Sequence, residues 1–248
     1  MADKKQLDDL RKQVDELDTR LLSLISERAQ LAKAIAGVKG AQEDGNGYYR
    51  PEREAQVLRK VIEQNRGPLS EEEMARLFRE IMSACLALEQ VLDIAYLGPE
   101  GTFTQTAVLK HFGHSVKASA FASIDQIFRE VESGACHYGV VPVENSTEGV
   151  INHTLDMLIN SSLLICGEVE LRIHHHLLSR SQKVTDIKYI YSHQQSLAQC
   201  RGWLDTHLLQ AERIAVSSNA EAARLAGQKQ DAAAIAGNAA AEYYHLDI

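Results

Sequence analysis

One arginine interrupts an apolar seam near the start of the chain, and its position predicts an anion-binding site. Leucine, isoleucine and valine recur at alternating three- and four-residue spacing from Leu7 to Val38, which is typical of a helix that packs against another helix. The seam requires an apolar residue at the position of Arg28. A guanidinium facing a packed interior needs an anionic partner, because an unpaired buried charge is severely unfavourable. That partner is a ligand or a protein carboxylate such as Glu27 or Glu54, unless the side chain reaches out to solvent.

The spacing of two other basic residues favours a small ligand shared between two chains. Lys39 lies eleven residues after Arg28, three turns along nearly the same helix face. Arg11 lies seventeen residues before Arg28, or about 25 Å along a helix, so one small molecule cannot touch both in one chain. If Arg11 serves a site, it serves that of a partner. A helix of ~36 residues is also too long to pack alone in so small a domain, and a dimer with exchanged helices resolves both problems.

Breaks at residues 37–51 and 66–68 divide the first ninety residues into three predicted helices, near 4–39, 52–65 and 70–91. Within them, LRKQVDELDTRLLSLISER (10–28), AGVK (36–39) and YYRPEREAQVL (48–58) closely resemble the helical chorismate mutases, and the resemblance covers residues 5–91. It implies an all-α three-helix domain that forms a helix-swapped homodimer with two sites and needs no cofactor. It assigns Arg11 (from the other subunit), Arg28 and Arg53 to the substrate carboxylates, Lys39 and Glu89 to the ether oxygen, and Glu54 to the ring hydroxyl.

These roles suit the reaction that the resemblance implies. Chorismate is a dianion, and its rearrangement to prephenate is intramolecular, so the enzyme must hold the reactive conformer and stabilise charge on the ether oxygen. A rate gain of ~10⁶ requires ~8 kcal/mol, which several charge-assisted hydrogen bonds can supply.

Two residues depart from the family's pattern. Arg50 stands where some members carry an acidic residue, which leaves its part in substrate binding open. Glu89 stands where other members carry glutamine. Because an ionised glutamate cannot donate to an ether oxygen, we expect Glu89 to act protonated and mutase activity to decline above neutrality. Cys85, one turn before Glu89, is expected to line the pocket as a packing residue.

From Ile94 the sequence changes character. The β-rich runs IAYLG, YGVVPVEN, LLICGEVEL and IKYIYSH alternate with helical stretches such as TQTAVLKHF and SLAQCRGWL. This alternation predicts an α/β fold with a mostly parallel sheet. The glycine-rich turn GPEGTF (98–103) follows a predicted strand and opens a helix, which by itself fits a tight turn as well as an anion site.

Five motifs in order carry a second resemblance, to prephenate dehydratase, from about Ile94 to the end of the chain. They are GPEGTFTQTA (98–107), VPVENSTEGV (141–150), SHQQSLAQC (192–200), SSNAEAA (217–223) and AAIAG (233–237). The resemblance implies a two-lobed, periplasmic-binding-protein-like fold, with lobes at about 93–171 and 172–248, that converts prephenate to phenylpyruvate, carbon dioxide and water. It places these residues around the cleft: Thr102, Asn145, Ser146, Ser192 and Gln199.

Together the halves resemble the bifunctional chorismate mutase/prephenate dehydratases (P-proteins), with domains at 1–92 and 93–248. The family's Thr-Arg-Phe motif and phenylalanine-sensing regulatory ACT domain do not occur before Ile248. In that family a threonine of this motif supplies the proton for the departing hydroxyl. We therefore expect an incomplete second lobe and little dehydratase turnover from these 248 residues.

Bulk properties narrow the remaining possibilities. The net charge of −8 argues against a nucleic-acid or membrane-surface binder. The four cysteines never form a C-x-x-C pair, which predicts a cytoplasmic protein without disulfides or structural zinc. Adjacent histidines at 174–176 would point to opposite faces of a strand, so no metal site is predicted.

Two other functions stay open at this point: a small-molecule sensor dimerised by a helical arm, and a structural coiled coil in which Arg28 specifies register. The charges at Arg28, Lys39, Arg53 and Glu54 speak against both, since a dimerisation arm has no need of them.

Overall fold

The computed structural model describes residues 2–39, 49–145, 149–181 and 183–248. They form two compact units. The first comprises residues 1–91 together with 112–116, and the second comprises 92–111 together with 117–248.

The first unit is built from three helices, as predicted. They are α1 (Ala2–Lys39), α2 (Pro51–Gln64) and α3 (Glu71–Ala87). Helix α2 begins with a proline at its first position, where the missing N–H costs nothing. Helix α3 begins where Ser70 Oγ accepts a hydrogen bond from the backbone N–H of Glu73 at 3.2 Å. This cap and the acidic first turn complement the positive end of the helix dipole.

The apolar seam of α1 is uncovered in a single copy of the chain. Its nine members are between 48% and 66% exposed, and they are Leu7, Leu10, Val14, Leu17, Leu21, Leu24, Leu31, Ile35 and Val38. Side chains of this kind are stabilised by removal from water. Helix α1 therefore presents, along its length, an apolar surface that the rest of this unit does not cover.

Residues 112–116 complete the first unit by packing against α3. Gly113 adopts a φ of +76°, and a Cβ at this position would lie 2.5 Å from Cβ of Ser83. The backbone N–H of Ser115 donates to Ser83 Oγ at 3.3 Å. Burial raises the pKa of Glu80, but hydrogen bonds from His114 outweigh it and hold that pKa below the ordinary value of 4.5.

The second unit begins with a three-stranded parallel sheet in the order β2-β1-β3. Its strands are β1 (Asp93–Leu97), β2 (Lys117–Phe121) and β3 (Tyr138–Val140). A two-stranded antiparallel ribbon follows, formed by β4 (Glu144–Asn145) and β5 (Gly149–Val150). The helices of this part are α4 (Phe103–Phe112), α5 (Ile124–Glu132) and α6 (Asn152–Asn160).

A second sheet has four strands in the order β6-β9-β7-β8, with β6 antiparallel to β9 at one edge. They are β6 (His176–Ser179), β7 (Tyr189–His193), β8 (Glu212–Val216) and β9 (Ala232–Ala236). The accompanying helices are α7 (Gln194–Gln199), α8 (Arg201–His207), α9 (Asn219–Ala226) and α10 (Asn238–Tyr244). The β9 sequence AAAIA is buried throughout, so small side chains let helices approach this sheet closely.

One predicted strand is wrong. The run LLICGEVEL (163–171) has no regular secondary structure. Leu164 and Ile165 in this run are 90% and 74% exposed. A β-strand requires hydrogen bonds to a neighbouring strand, and no described strand pairs with these residues. Their β propensity alone therefore does not produce a strand.

None of the helices within the described ranges is both long and apolar enough to cross a membrane.

Candidate functional sites

Two of the basic residues predicted to bind a dianion, Arg11 and Arg28, lie seventeen residues apart on α1 and cannot reach one small molecule within one copy of the first unit. Arg11, Arg50 and Arg53 are exposed, and Arg28 is half-buried. Arg11 lies 3.7 Å from Asp8, one turn earlier on α1. Arg53 donates to Oε1 of Gln56 at 3.4 Å. The backbone of Lys39 ends α1, and its side chain lies outside the described part of the chain.

Glu54 is a carboxylate of this unit whose pKa is raised by its surroundings. Nε of Arg79 lies 3.7 Å from its Oε1, and the two side chains are 25% and 18% exposed. Burial raises the pKa of Glu54, and the opposing effects of Arg79 and of a hydrogen bond with Tyr49 do not cancel it. The ion-pair partner found for Glu54 in the described residues is thus Arg79, not Arg28.

Sequence reasoning missed Arg79. Nothing in the sequence around Arg79 indicates an ion pair with Glu54, because only the packing of α3 against α2 brings the two side chains together.

The end of α3 carries the remaining predicted mutase residues. Cys85 is 4% exposed, as expected of a packing residue. Glu89 follows the helix and is half-buried, and its backbone N–H donates to the carbonyl of Leu86 at 2.8 Å.

In the second unit, Thr102 caps α4. Its Oγ1 donates to the carbonyl oxygen of Leu97 at 3.2 Å and accepts from the N–H of Gln105 at 3.4 Å. The N–H of Gly101, whose φ is +81°, donates to Oε1 of Gln105 at 2.6 Å. The GPEGTF motif is thus a strand-to-helix turn whose polar groups are largely satisfied internally.

Ser192 lies beneath its turn and not on the surface, which differs from the expectation of a cleft-lining hydroxyl. It has no exposed surface. Its Oγ lies 2.8 Å from the carbonyl oxygen of Ile235 and 2.9 Å from Oδ1 of Asn219. The single hydroxyl proton is shared between these two acceptors, so Ser192 joins β7 to β9 and α9.

Asn219 completes a polar network that sequence reasoning missed. Its Oδ1 accepts from the N–H of His193 at 3.0 Å, and its Nδ2 donates to Oγ of Ser196 at 2.9 Å. The orientation of the amide is fixed, since the reverse orientation would aim an NH₂ group at the His193 N–H. The signal was the SSNAEAA motif, where Ser218 caps α9 and Asn219 follows.

Two contacts join the part of the second unit that holds its first sheet to the part that holds its second sheet. Nε2 of Gln195 donates to Oδ1 of Asn145 at 3.0 Å. A Cβ on Gly237 would lie 2.6 Å from Cε1 of Phe103, so this glycine admits the aromatic ring. Near the second sheet, at the end of α7, Oε1 of Gln199 lies 2.8 Å from Nε2 of His175. Of the predicted cleft residues, Asn145 thus contacts Gln195 and Gln199 contacts His175, and Ser146 lies outside the described residues.

Comparison with known proteins assigns both units. Residues 10–90 match the family model "Chorismate mutase type II", and residues 94–248 match "Prephenate dehydratase". The chain is 59% identical over 251 residues to a bifunctional chorismate mutase/prephenate dehydratase of Pseudomonas aeruginosa and 60% identical over 250 residues to one of Stutzerimonas stutzeri. Each match covers 99% of this chain and 68% of that protein.

A solved structure shares the fold of the second unit. It is the prephenate dehydratase of Staphylococcus aureus, with 28% identity and a TM-score of 0.54, and the match covers 63% of this chain and 58% of that one.

The fold of each unit thus agrees with the family model that matches it, and the relatives match 99% of the chain. These findings favour an enzyme over a sensor or a scaffold. The chain belongs to the bifunctional chorismate mutase/prephenate dehydratase family, whose two activities serve phenylalanine biosynthesis.

Proposed function

We propose that the first unit acts as a helix-swapped homodimer in which two copies build two chorismate sites. The exposed seam of α1 supports this arrangement, since a second copy of the same helix would cover nine apolar side chains. Burial of even half of such a side chain contributes about 1 kcal/mol. A self-complementary surface on both copies fits the two-fold symmetry that most homodimers adopt.

The swapped arrangement also resolves the spacing of the basic residues. Arg11 and Arg28 lie seventeen residues apart on one helix, about 25 Å at 1.5 Å per residue. In an antiparallel pair of helices, Arg11 of one copy approaches Arg28 of the other. With Arg53 they bind the two carboxylates of chorismate.

The remaining residues act on the reacting atoms. Lys39 and Glu89 face the ether oxygen, and Glu54 binds the ring hydroxyl while Arg79 holds its carboxylate in place. Arg50 stands at the mouth of the site, and Cys85 packs beneath it. Lys39 supplies positive charge where the breaking carbon–oxygen bond leaves negative charge, which is the electrostatic stabilisation that this rearrangement requires.

Glu89 donates a hydrogen bond to the ether oxygen in its protonated form. Mutase turnover then declines as pH rises above neutrality, while Glu89→Gln removes this limb of the profile because an amide donates at any pH. Identical profiles for the parent and Glu89→Gln would refute this role.

The dehydratase site lies between two lobes, at about 93–171 and 172–248, of a periplasmic-binding-protein-like domain. Its ligands are the amides and hydroxyls of Thr102, Asn145, Ser146 and Gln199, with Ser192 supporting the turn behind them. Neutral donors bind a dianion such as prephenate without holding it too tightly. The domain boundaries are 1–92 and 93–248, and how much dehydratase turnover these residues support stays a prediction.

The protein acts in the cytoplasm on small dianions and uses no cofactor. Its four cysteines are free thiols, which suits a reducing compartment.

The observation that carries the proposal is an arginine within an uncovered apolar seam, and loss of chorismate absorbance tests it. The parent should turn over chorismate in the presence of a chelator. Arg28→Ala should lower kcat/KM at least about 100-fold, because it removes a charge-assisted bond to the dianion. Arg20→Ala, an exposed arginine on the same helix, is the matched control. A parent without turnover, or equal rates in both variants, would disprove the mutase site.

A further inference from the structure

Gln195 is a polar residue at the junction of the lobes to which no role has been given so far. It lies in the first turn of α7 (Gln194–Gln199), directly after β7. Its side chain is half-buried and reaches from the second lobe to Asn145 on β4 of the first. Within the described residues, Asn145 is the hydrogen-bond partner found for the Gln195 amide.

The backbone around Gln195 is held in place by a buried hydrogen-bond network. His193, two residues before it, and Ser196, the next residue, both bond to the amide of Asn219. Ser192 bonds to the same amide and to β9. Since the buried groups of this network are mutually satisfied, they order the turn more firmly than isolated contacts would. The amide of Gln195 is therefore held in place before any ligand arrives.

We propose that Gln195 is a further substrate-binding residue of the dehydratase cleft, whose Nε2 passes from Oδ1 of Asn145 to an oxygen of the dianionic substrate. The proposal rests on the dehydratase site proposed above, because Asn145 is one of its ligands. A donor at 3.0 Å from Asn145 also lies within reach of a molecule that Asn145 binds.

The exchange of partners is favourable on chemical grounds. The bond between Gln195 and Asn145 joins two neutral amides, whereas a bond to a substrate carboxylate is charge-assisted and about twice as strong. Substrate binding thus replaces a weaker contact between the lobes with a stronger one through the ligand. A substrate bound to the first lobe thus receives a hydrogen bond from the second lobe, and the donor is a neutral amide that adds no charge to the cleft.

The competing explanation is that Gln195 only holds the two lobes together and never contacts the substrate. A negative charge introduced at position 195 distinguishes this explanation from substrate binding. If Gln195 contacts the substrate, Gln195→Glu places a carboxylate against a dianion and weakens binding further than Gln195→Ala does. If Gln195 only holds the lobes together, both variants lose the same contact and bind prephenate equally.

The test measures prephenate binding by titration calorimetry on the full chain with Arg28→Ala, which removes binding at the mutase site. Gln194→Ala is the matched control, since its side chain is exposed. We expect a Kd within twofold of the parent for Gln194→Ala, about tenfold weaker for Gln195→Ala, and weaker again for Gln195→Glu. Circular dichroism and thermal melting of the same variants report that the second unit, which carries the substitutions, folds as in the parent.

The outcomes separate the two proposals. Equal affinity of Gln195→Ala and the control overturns the role of Gln195, and so does equal affinity of the alanine and glutamate variants. Absence of prephenate binding in the Arg28→Ala parent, with normal folding, overturns the dehydratase site itself and the role of Gln195 with it.

Discussion

Oγ of Ser192 lies 2.9 Å from Oδ1 of Asn219, in a position with no exposure to solvent. This pair joins the end of β7 to the start of α9, and the same amide reaches Ser196 on α7. The motifs SHQQSLAQC and SSNAEAA, separated by sixteen residues, are thus joined by one buried hydrogen-bond network.

Ser192→Ala should destabilise the second unit by about 1–3 kcal/mol, because Asn219 and the Ile235 carbonyl lose a buried donor. Denaturant unfolding of the two chains measures this difference. Ser217→Ala, at an exposed serine nearby, should change stability by less than about 0.5 kcal/mol. Equal effects of the two substitutions would show that the Ser192 network contributes nothing.

Mixed dimers test the exchange of helices directly. Arg11→Ala and Arg28→Ala should each be nearly inactive, whereas an unfolded and refolded equimolar mixture should recover about a quarter of the parental mutase rate. Half of the dimers are then mixed, and one of their two sites holds both arginines. No recovery, with sedimentation showing that mixed dimers form, would mean that each site draws both residues from one chain.

The close approach of Gly237 to Phe103 predicts a steric effect in the second unit. Gly237→Ala should lower the thermal midpoint, since the added Cβ would lie 2.6 Å from the ring, and overpacking of this kind costs about 1–3 kcal/mol. Phe103→Leu in the same chain should restore part of the loss by removing the ring.

Gly202→Ala is the control for that experiment. A Cβ there meets nothing within 4 Å, and alanine favours helix α8, so this variant should gain up to about 1 kcal/mol. A Gly237→Ala chain as stable as the parent would show that Phe103 moves aside at no cost.

Glu54 predicts a stability difference that depends on pH. Burial raises the pKa of this carboxyl above its ordinary value of 4.5. Its contribution to stability is therefore complete below that value and is lost as pH rises through the raised pKa of the folded state. Glu54→Gln stays neutral, so it should melt higher than the parent at neutral pH and at the same temperature below pH 4.5. A lower melting temperature of the variant at neutral pH would contradict the direction of this shift.

The sequence determined the local structure of this protein well where periodicity and caps act on neighbouring residues. The three predicted helices and the caps at Ser70 and Thr102 follow from residues within one or two turns of each other. The family motifs also named Asn145 and Gln199 as cleft residues, which stays a prediction. These features depend on contacts that are short along the chain or on residue types that recur together.

Only the tertiary structure decided the pairings between distant segments. The bonds from Asn219 to Ser192, from Gln195 to Asn145 and from Arg79 to Glu54 join residues 27, 50 and 25 positions apart, and no local pattern specifies them. The run LLICGEVEL illustrates the same dependence on distant segments. Its composition favours a strand, but a strand forms only where another chain segment supplies the hydrogen bonds. Propensity acts on one segment at a time, whereas burial and pairing belong to the assembled fold.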